Sequence, residues 1–261
     1  MHAPTLSLLA YGLAVGVSLG LTGGGGSIIT VPLLVYAVGE SVHQAIETSL
    51  VIVGGTALIA FASRIRQADT LSGLVLGGIG LLGAIPGRAA AQHFSGRTLL
   101  SLFAIIMIVA SAAMFRSKTY EAAPGHERNW WLAIIMGVLL GFLTGFLGIG
   151  GGFLIVPVLV LFLGMPMRAA IPTSLLVIGL NCLAGLFGSF VLRHSGGSTA
   201  AIDWRVAIIF LIGGAAGGLA GAAIARALNA RLLKRLFAAF IFCVGIAVAA
   251  SATGLIPLSV K

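Results

Sequence analysis

The chain has 261 residues, of which 59% are hydrophobic and 8% charged, with a mean hydropathy of +1.15. A soluble domain has roughly a quarter of its residues charged, so this composition excludes a water-soluble globular protein and predicts an integral membrane protein. The formal charge of +9 does not point to nucleic acid, because Lys and Arg fall between apolar runs, where they face anionic lipid and set orientation.

The two cysteines, Cys182 and Cys243, both lie inside apolar runs. They imply neither a disulfide framework nor a metal site, and no cofactor is expected. The first segment lacks a basic leader and a small-residue cleavage site, so it reads as a retained helix.

In chain order, residues 5–38 form one apolar stretch, longer than the roughly 20 residues a single crossing needs. Consecutive glycines divide it into pieces near 5–21 and 26–38. Each glycine costs about 1 kcal/mol relative to alanine inside a helix. Further apolar runs follow near 42–63, 70–92 and 97–115. The polar stretch 116–129 carries Arg116, Lys118, Glu121, Glu127 and Arg128 and reads as a linker. Five more runs follow near 130–147, 151–163, 168–192, 204–226 and 231–256. The expected organisation is a first transmembrane repeat over 1–115, the linker, and a second repeat over 130–261.

The halves are copies. At an offset of 125, Gly12, Gly16 and Gly20 pair with Gly137, Gly141 and Gly145. Pro32 pairs with Pro157, Gly39 with Gly164, and Thr48-Ser49-Leu50 with Thr173-Ser174-Leu175. Later the offset becomes 134, pairing Asp69 with Asp203, Gly83 with Gly217 and Arg97 with Arg231. The extra residues fall within 193–201, which reads as a loop. Duplication of this kind is the usual plan of secondary transporters.

Orientation follows from the 15 Lys and Arg residues. If each glycine-broken segment crosses once, the cations divide almost evenly between the two sides. If each enters and returns as a hairpin, Arg64, Arg66, Arg116, Lys118, Arg128, Arg168, Arg226, Arg231, Lys234 and Arg235 share one side. The positive-inside rule favours the hairpins. The expected fold is therefore an all-α membrane protein of two fused inverted repeats, five helical segments each, with both termini outside.

The glycine-rich stretches read Gly-Leu-Thr-Gly-Gly-Gly-Gly-Ser-Ile-Ile-Thr-Val-Pro-Leu-Leu from Gly20 and Gly-Phe-Leu-Gly-Ile-Gly-Gly-Gly-Phe-Leu-Ile-Val-Pro-Val-Leu from Gly145. With the two Thr-Ser-Leu helices, they make the chain resemble the TauE/SafE sulfite exporter (TSUP) family over nearly its whole length. The resemblance implies transport of sulfite, thiosulfate, sulfoacetate or related sulfonates across the bacterial inner membrane, often with proton coupling. It departs at Glu47, whose paired position is Pro172.

The candidate site starts from the glycines. Broken backbone at membrane depth is tolerated only inside protein or lining a cavity, and a helix N-terminus beyond a break attracts anions. Gly23, Gly24, Gly25, Gly26 and Ser27 form one expected tip. Gly148, Gly150, Gly151 and Gly152 form the other. Thr48, Ser49, Thr173 and Ser174 are expected to line the sides with neutral hydroxyls, and Asn181 is a further pathway candidate. Gly12, Gly16 and Gly20 read instead as a helix-packing face. Glu47 is either a proton carrier or an acid near a helix start capped by Ser41 and Gln44. Arg88 reads as an interfacial arginine. His43 and Arg168 are paired positions in short loops, and Asp69 and Asp203 read as helix caps.

The expected partners are a small anionic substrate and membrane lipid, with no nucleic acid and a possible homodimer. A passive anion channel is the alternative to a carrier. An intramembrane enzyme would need a nucleophile with its base, or a metal cluster, and the sequence offers no such motif.

Overall fold

The computed structural model describes residues 4–91, 93–94, 96–117, 130–147, 152–194 and 202–252. The linker beyond Ser117 and the glycines at 148, 150 and 151 lie outside them. The described residues are helical throughout the elements, with no strand among them. Among the described residues, five helices are long and apolar enough to cross a membrane.

Helix α1 (Thr5–Thr22) ends at the first glycine cluster, and α2 (Gly25–Leu33) starts immediately after it. A π-helical turn, Leu34–Val38, extends α2. Helix α3 (Val42–Ala62) follows Ser41, whose hydroxyl accepts the Gln44 N–H at 3.3 Å. A 3-10 turn (Ile65–Gln67) leads into α4 (Thr70–Ala91) and then α5 (Gly96–Arg116). The second half contains α6 (Trp130–Leu147), α7 (Gly152–Leu161), α8 (Met167–His194), α9 (Trp204–Ala227) and α10 (Ala230–Ala252). Asp203 caps α9 by accepting the Arg205 and Val206 N–H groups. Asp69 caps α4 by accepting the Ser72 N–H and hydroxyl.

The duplication seen in the sequence recurs in the backbone. Gly39 and Gly164, 125 positions apart, both adopt left-handed conformations, with φ of 87° and 62°. The next residues, Glu40 and Met165, donate equivalent N–H bonds to Leu34 and Leu159, at 3.0 and 2.9 Å.

The halves interlock reciprocally. Helix α1 packs on α9, and α6, the counterpart of α1, packs on α4, the counterpart of α9. Both contacts run on small residues. Gly12, Gly16 and Gly20 lie directly against the α9 backbone at Phe210, Gly214 and Gly218, so α1 and α9 run in the same direction. Gly83 and Gly87 meet Val138 and Phe142 of α6 in the same way. Without a side chain the backbones approach closely enough for dispersion contacts along the whole crossing, which is how membrane helices associate.

The counterparts α3 and α8 pair with each other in the opposite sense: Leu50 meets Gly185, Cys182 meets Gly54 and Leu58 meets Gly179. Helices α5 and α10 are also antiparallel. Met107 lies beside Gly245, Ser111 donates to the Ala238 carbonyl at 2.9 Å, and Lys234 donates to the Ser117 carbonyl. The main core joins α1, α3, α5, α7, α8 and α10 around Phe103, Phe153 and Phe237. A second cluster, with Leu8, Val15, Leu34 and Phe210, holds α2 against α1.

Candidate functional site

At the first break the chain reverses in two residues. Gly23 has φ 75°, a left-handed conformation that disfavours a side chain, and its N–H closes α1 on the Leu19 carbonyl at 2.7 Å. Helix α2 then folds back along α1, so that a Cβ at Gly26 would sit 2.6 Å from the Val15 carbonyl oxygen. The turn is fastened by its own hydroxyls. Thr22 donates to the Ser18 carbonyl at 2.6 Å and accepts the Gly25 N–H at 2.9 Å, and Ser27 donates to the Gly24 carbonyl at 2.7 Å. The Gly25 N–H is therefore engaged within the turn. The next N–H groups of this helix start, those of Gly26 and Ser27, belong to the first turn, whose N–H groups have no intrahelical acceptor.

The second half reaches the same point. A Cβ at Gly24 would lie 2.5 Å from the Gly152 carbonyl oxygen, and one at Gly152 would lie 2.9 Å from the Ser27 hydroxyl. Ser27 and Gly152 are 125 positions apart, so the two short helices meet at equivalent residues. Each helix start carries a partial positive charge of roughly half a unit. The two helix starts therefore place partial positive charge of the same sign side by side. Gly148, Gly150 and Gly151 lie outside the described residues.

Of the hydroxyl candidates, Ser174 is bonded to the first tip, while Thr48, Thr173 and Ser49 have other partners. Thr48 and Thr173, both fully buried, bridge the halves. Thr173 accepts the Asp69 N–H at 2.9 Å, and Thr48 accepts the Asp203 N–H at 3.4 Å. Each threonine thus holds the start of the other half's fourth helix. Ser174 donates to the Gly23 and Ile171 carbonyls, both at 2.7 Å, and pins the tip. Ser49 bonds back to the Ile46 carbonyl at 2.7 Å, as hydroxyls in membrane helices do. Asn181 is half-buried two turns further along α8. Glu47 accepts the Ser189 hydroxyl at 2.8 Å, linking α3 to the far end of α8. Among the described residues no three His, Cys, Asp or Glu side chains are placed to hold a metal ion.

Sequence reasoning passed over Glu40, which reads as a loop acid. It is buried, with 8% exposure, and among the described residues neither carboxylate oxygen has a hydrogen-bond partner. Its counterpart Met165 is equally buried, so the acid occupies a slot that the other half fills with an apolar side chain. That mismatch between copies is the sequence signal that marks it. Burial pushes the carboxyl from 4.5 up to about 7; the nearby Thr48 hydroxyl opposes the shift and the Asp203 charge adds to it. Between those values the folded protein keeps a proton that the unfolded chain has lost. Stability therefore falls as pH rises through the window and levels off above it. Glu40→Gln is expected to raise the melting temperature at about pH 8 and to change it little at about pH 4.5. An equal change at both pH values would show that Glu40 is not the group that holds the proton.

The family model for the sulfite exporter TauE/SafE matches residues 8–248. A probable membrane transporter protein of Xylella fastidiosa is 37% identical over 248 residues, covering 91% of this chain and 92% of its own length. A probable membrane transporter protein of Bacillus subtilis, YunE, is 27% identical over 91% of this chain and 94% of its own. MamO of Magnetospirillum gryphiswaldense, also called a probable membrane transporter protein, is 26% identical over 94% of this chain but only 44% of its own length. No solved structure matches the chain.

Proposed function

Because the chain belongs to the sulfite exporter TauE/SafE family and is therefore an integral membrane transporter, we propose that it is a secondary carrier. Its substrates are small sulfur-containing anions: sulfite, thiosulfate, or organosulfonates such as sulfoacetate. It works in the bacterial inner membrane, coupled to protons. The observation that carries this reading is the meeting of the α2 and α7 starts at Ser27 and Gly152. Two half-length helices aim their positive ends at one point inside an apolar bundle, and the donors there are backbone groups without fixed charge. Such a site binds an anion and still releases it.

The repeats, 1–115 and 130–261, are inverted. The antiparallel pairing of α3 with α8 and of α5 with α10 supports this, because helices related by parallel repeats would run the same way. Alternating access is then rocking of one repeat against the other. In a variant without Cys182 and Cys243, His43→Cys is expected to react with an impermeant thiol reagent from outside, and Asn229→Cys only from inside. Reaction of both from one side would establish parallel repeats.

The carrier reading is tested by exchange. Proteoliposomes loaded with unlabelled thiosulfate are expected to take up labelled thiosulfate faster than empty ones, with saturation. Uptake that is indifferent to internal substrate would identify a channel instead.

A further inference from the structure

Arg64 falls in the short connection after α3 and reads in the sequence as a solvated loop charge. It is instead among the most buried polar residues of the protein, with 2% exposure. Its Nε donates to the Gln67 side-chain oxygen at 3.1 Å and its Nη2 approaches the Arg168 carbonyl at 3.5 Å. Its Nη1 is buried without a partner among the described residues.

The surroundings add charge of the same sign. Arg64 lines a cleft of about 350 Å³ with Arg66, Arg226, Ser63 and Gln67, and among the described lining residues there is no carboxylate. Arg168 and Arg226 both lie near enough to repel the Arg64 guanidinium, which burial and these charges together bring down to about 10. At the offset of 125, the position of Arg64 is held by Ser189, which donates to Glu47.

A buried cation needs a compensating partner, and here the described surroundings supply three further cations. Guanidinium groups converging on a cleft match the oxygens of a tetrahedral oxyanion, which accepts several charge-assisted hydrogen bonds at once. We propose that Arg64, Arg66, Arg168 and Arg226 form an oxyanion-binding site. The occupant is a sulfate-like or phosphate-like group, delivered either by the transported anion or by an anionic lipid headgroup.

The site lies at the end of the bundle where most cations gather. Along α8, Arg168 precedes Ser174, which pins the α1–α2 tip, by six residues, or about 9 Å of helix. An anion held there stands at the inner approach to that tip. This placement, though not the site itself, rests on the carrier reading.

The test uses the full-length protein purified in neutral detergent, with thiosulfate as probe and chloride at equal ionic strength as control. Thiosulfate is expected to raise the melting temperature, and Arg226→Gln to weaken its binding at least about tenfold. Arg205→Gln, an exposed arginine at the other end of α9, is expected to bind as wild type. Arg226 is itself exposed, so its replacement tests the site even if Arg64→Gln fails to fold.

In nanodiscs, stabilisation by phosphatidylglycerol over phosphatidylcholine that Arg226→Gln removes, without a thiosulfate effect, assigns the site to lipid. Unchanged response of Arg226→Gln to both thiosulfate and phosphatidylglycerol overturns the proposal. Exchange measured on the same samples separates the two readings. Normal exchange in wild type and in Arg226→Gln, with no Arg226-dependent binding, overturns the site and leaves the carrier standing. Thiosulfate or phosphatidylglycerol binding that depends on Arg226, with no exchange in wild type, supports the site and removes the carrier.

Discussion

Gly16→Ala is expected to lower the melting temperature sharply and to broaden the purified peak. The added Cβ would lie 2.1 Å from the Gly214 carbonyl oxygen and 2.8 Å from the Gly218 nitrogen. Both neighbours are backbone, so neither can rotate away. Relief requires α1 and α9 to separate, which loosens the matching contacts at Gly12 and Gly20 and, from the other side, at Gly213, Gly217 and Gly221. Overpacking a core costs about 1–3 kcal/mol, and more where the obstacle is rigid. Gly78→Ala is the control. Nothing lies within 4 Å of its Cβ position, and alanine is favoured over glycine within a helix by up to about 1 kcal/mol. Thermal unfolding in one detergent should rank Gly78→Ala at or above wild type and Gly16→Ala far below. If Gly16→Ala melts with wild type, the α1–α9 contact does not carry the fold.

Gly152→Leu is expected to abolish thiosulfate exchange while the protein still folds. The atoms a Cβ would meet are the Ser27 hydroxyl at 2.9 Å and the Ile178 side chain at 3.0 Å. These are side-chain ends, and they can move by rotation. The leucine would then fill the space between the starts of α2 and α7, where the proposed anion sits. The change differs in kind from one at Gly24 or Gly26, where backbone carbonyls stand 2.5 and 2.6 Å away and folding itself is at stake. Ser49→Ala removes a hydroxyl that bonds only within its own helix, so it should weaken binding about tenfold or less. Exchange at the wild-type rate in Gly152→Leu would place the substrate site elsewhere.

Much of this was legible in one dimension because it is local or repetitive. A run of glycines weakens a helix by about 1 kcal/mol per residue relative to alanine, and α1 does end at Gly23 with a positive φ. Ser41, Asp69 and Asp203 were recognisable as caps because a cap and the N–H groups it accepts lie within three residues of each other. The small-residue face of Gly12, Gly16 and Gly20 was recognisable from its spacing, but its partner was not. A four-residue spacing says that a backbone will come close and does not say which one.

The hydroxyls show where sequence reading stops. Thr48 and Thr173 stand beside the glycine clusters in both halves, which suggests a shared lining. Their actual partners are the N–H groups of Asp203 and Asp69, 155 and 104 residues away. A hydroxyl satisfies itself with whichever donor the fold brings near, and the chain alone does not set that choice. Glu40 and Arg64 show the same limit in the opposite sense. Both occur in short polar connections and read as solvated, yet neighbouring helices close over them.

The sequence by itself determined that this is a membrane protein, that its two halves match at a fixed offset, and where the first half breaks. Those properties follow from composition, from a fixed offset, and from the cost of glycine in a helix. Only the tertiary structure decided which helices pair, in which direction, and which polar groups end up without partners. Burial and hydrogen bonding between distant segments are properties of the packed bundle, and no residue carries them alone.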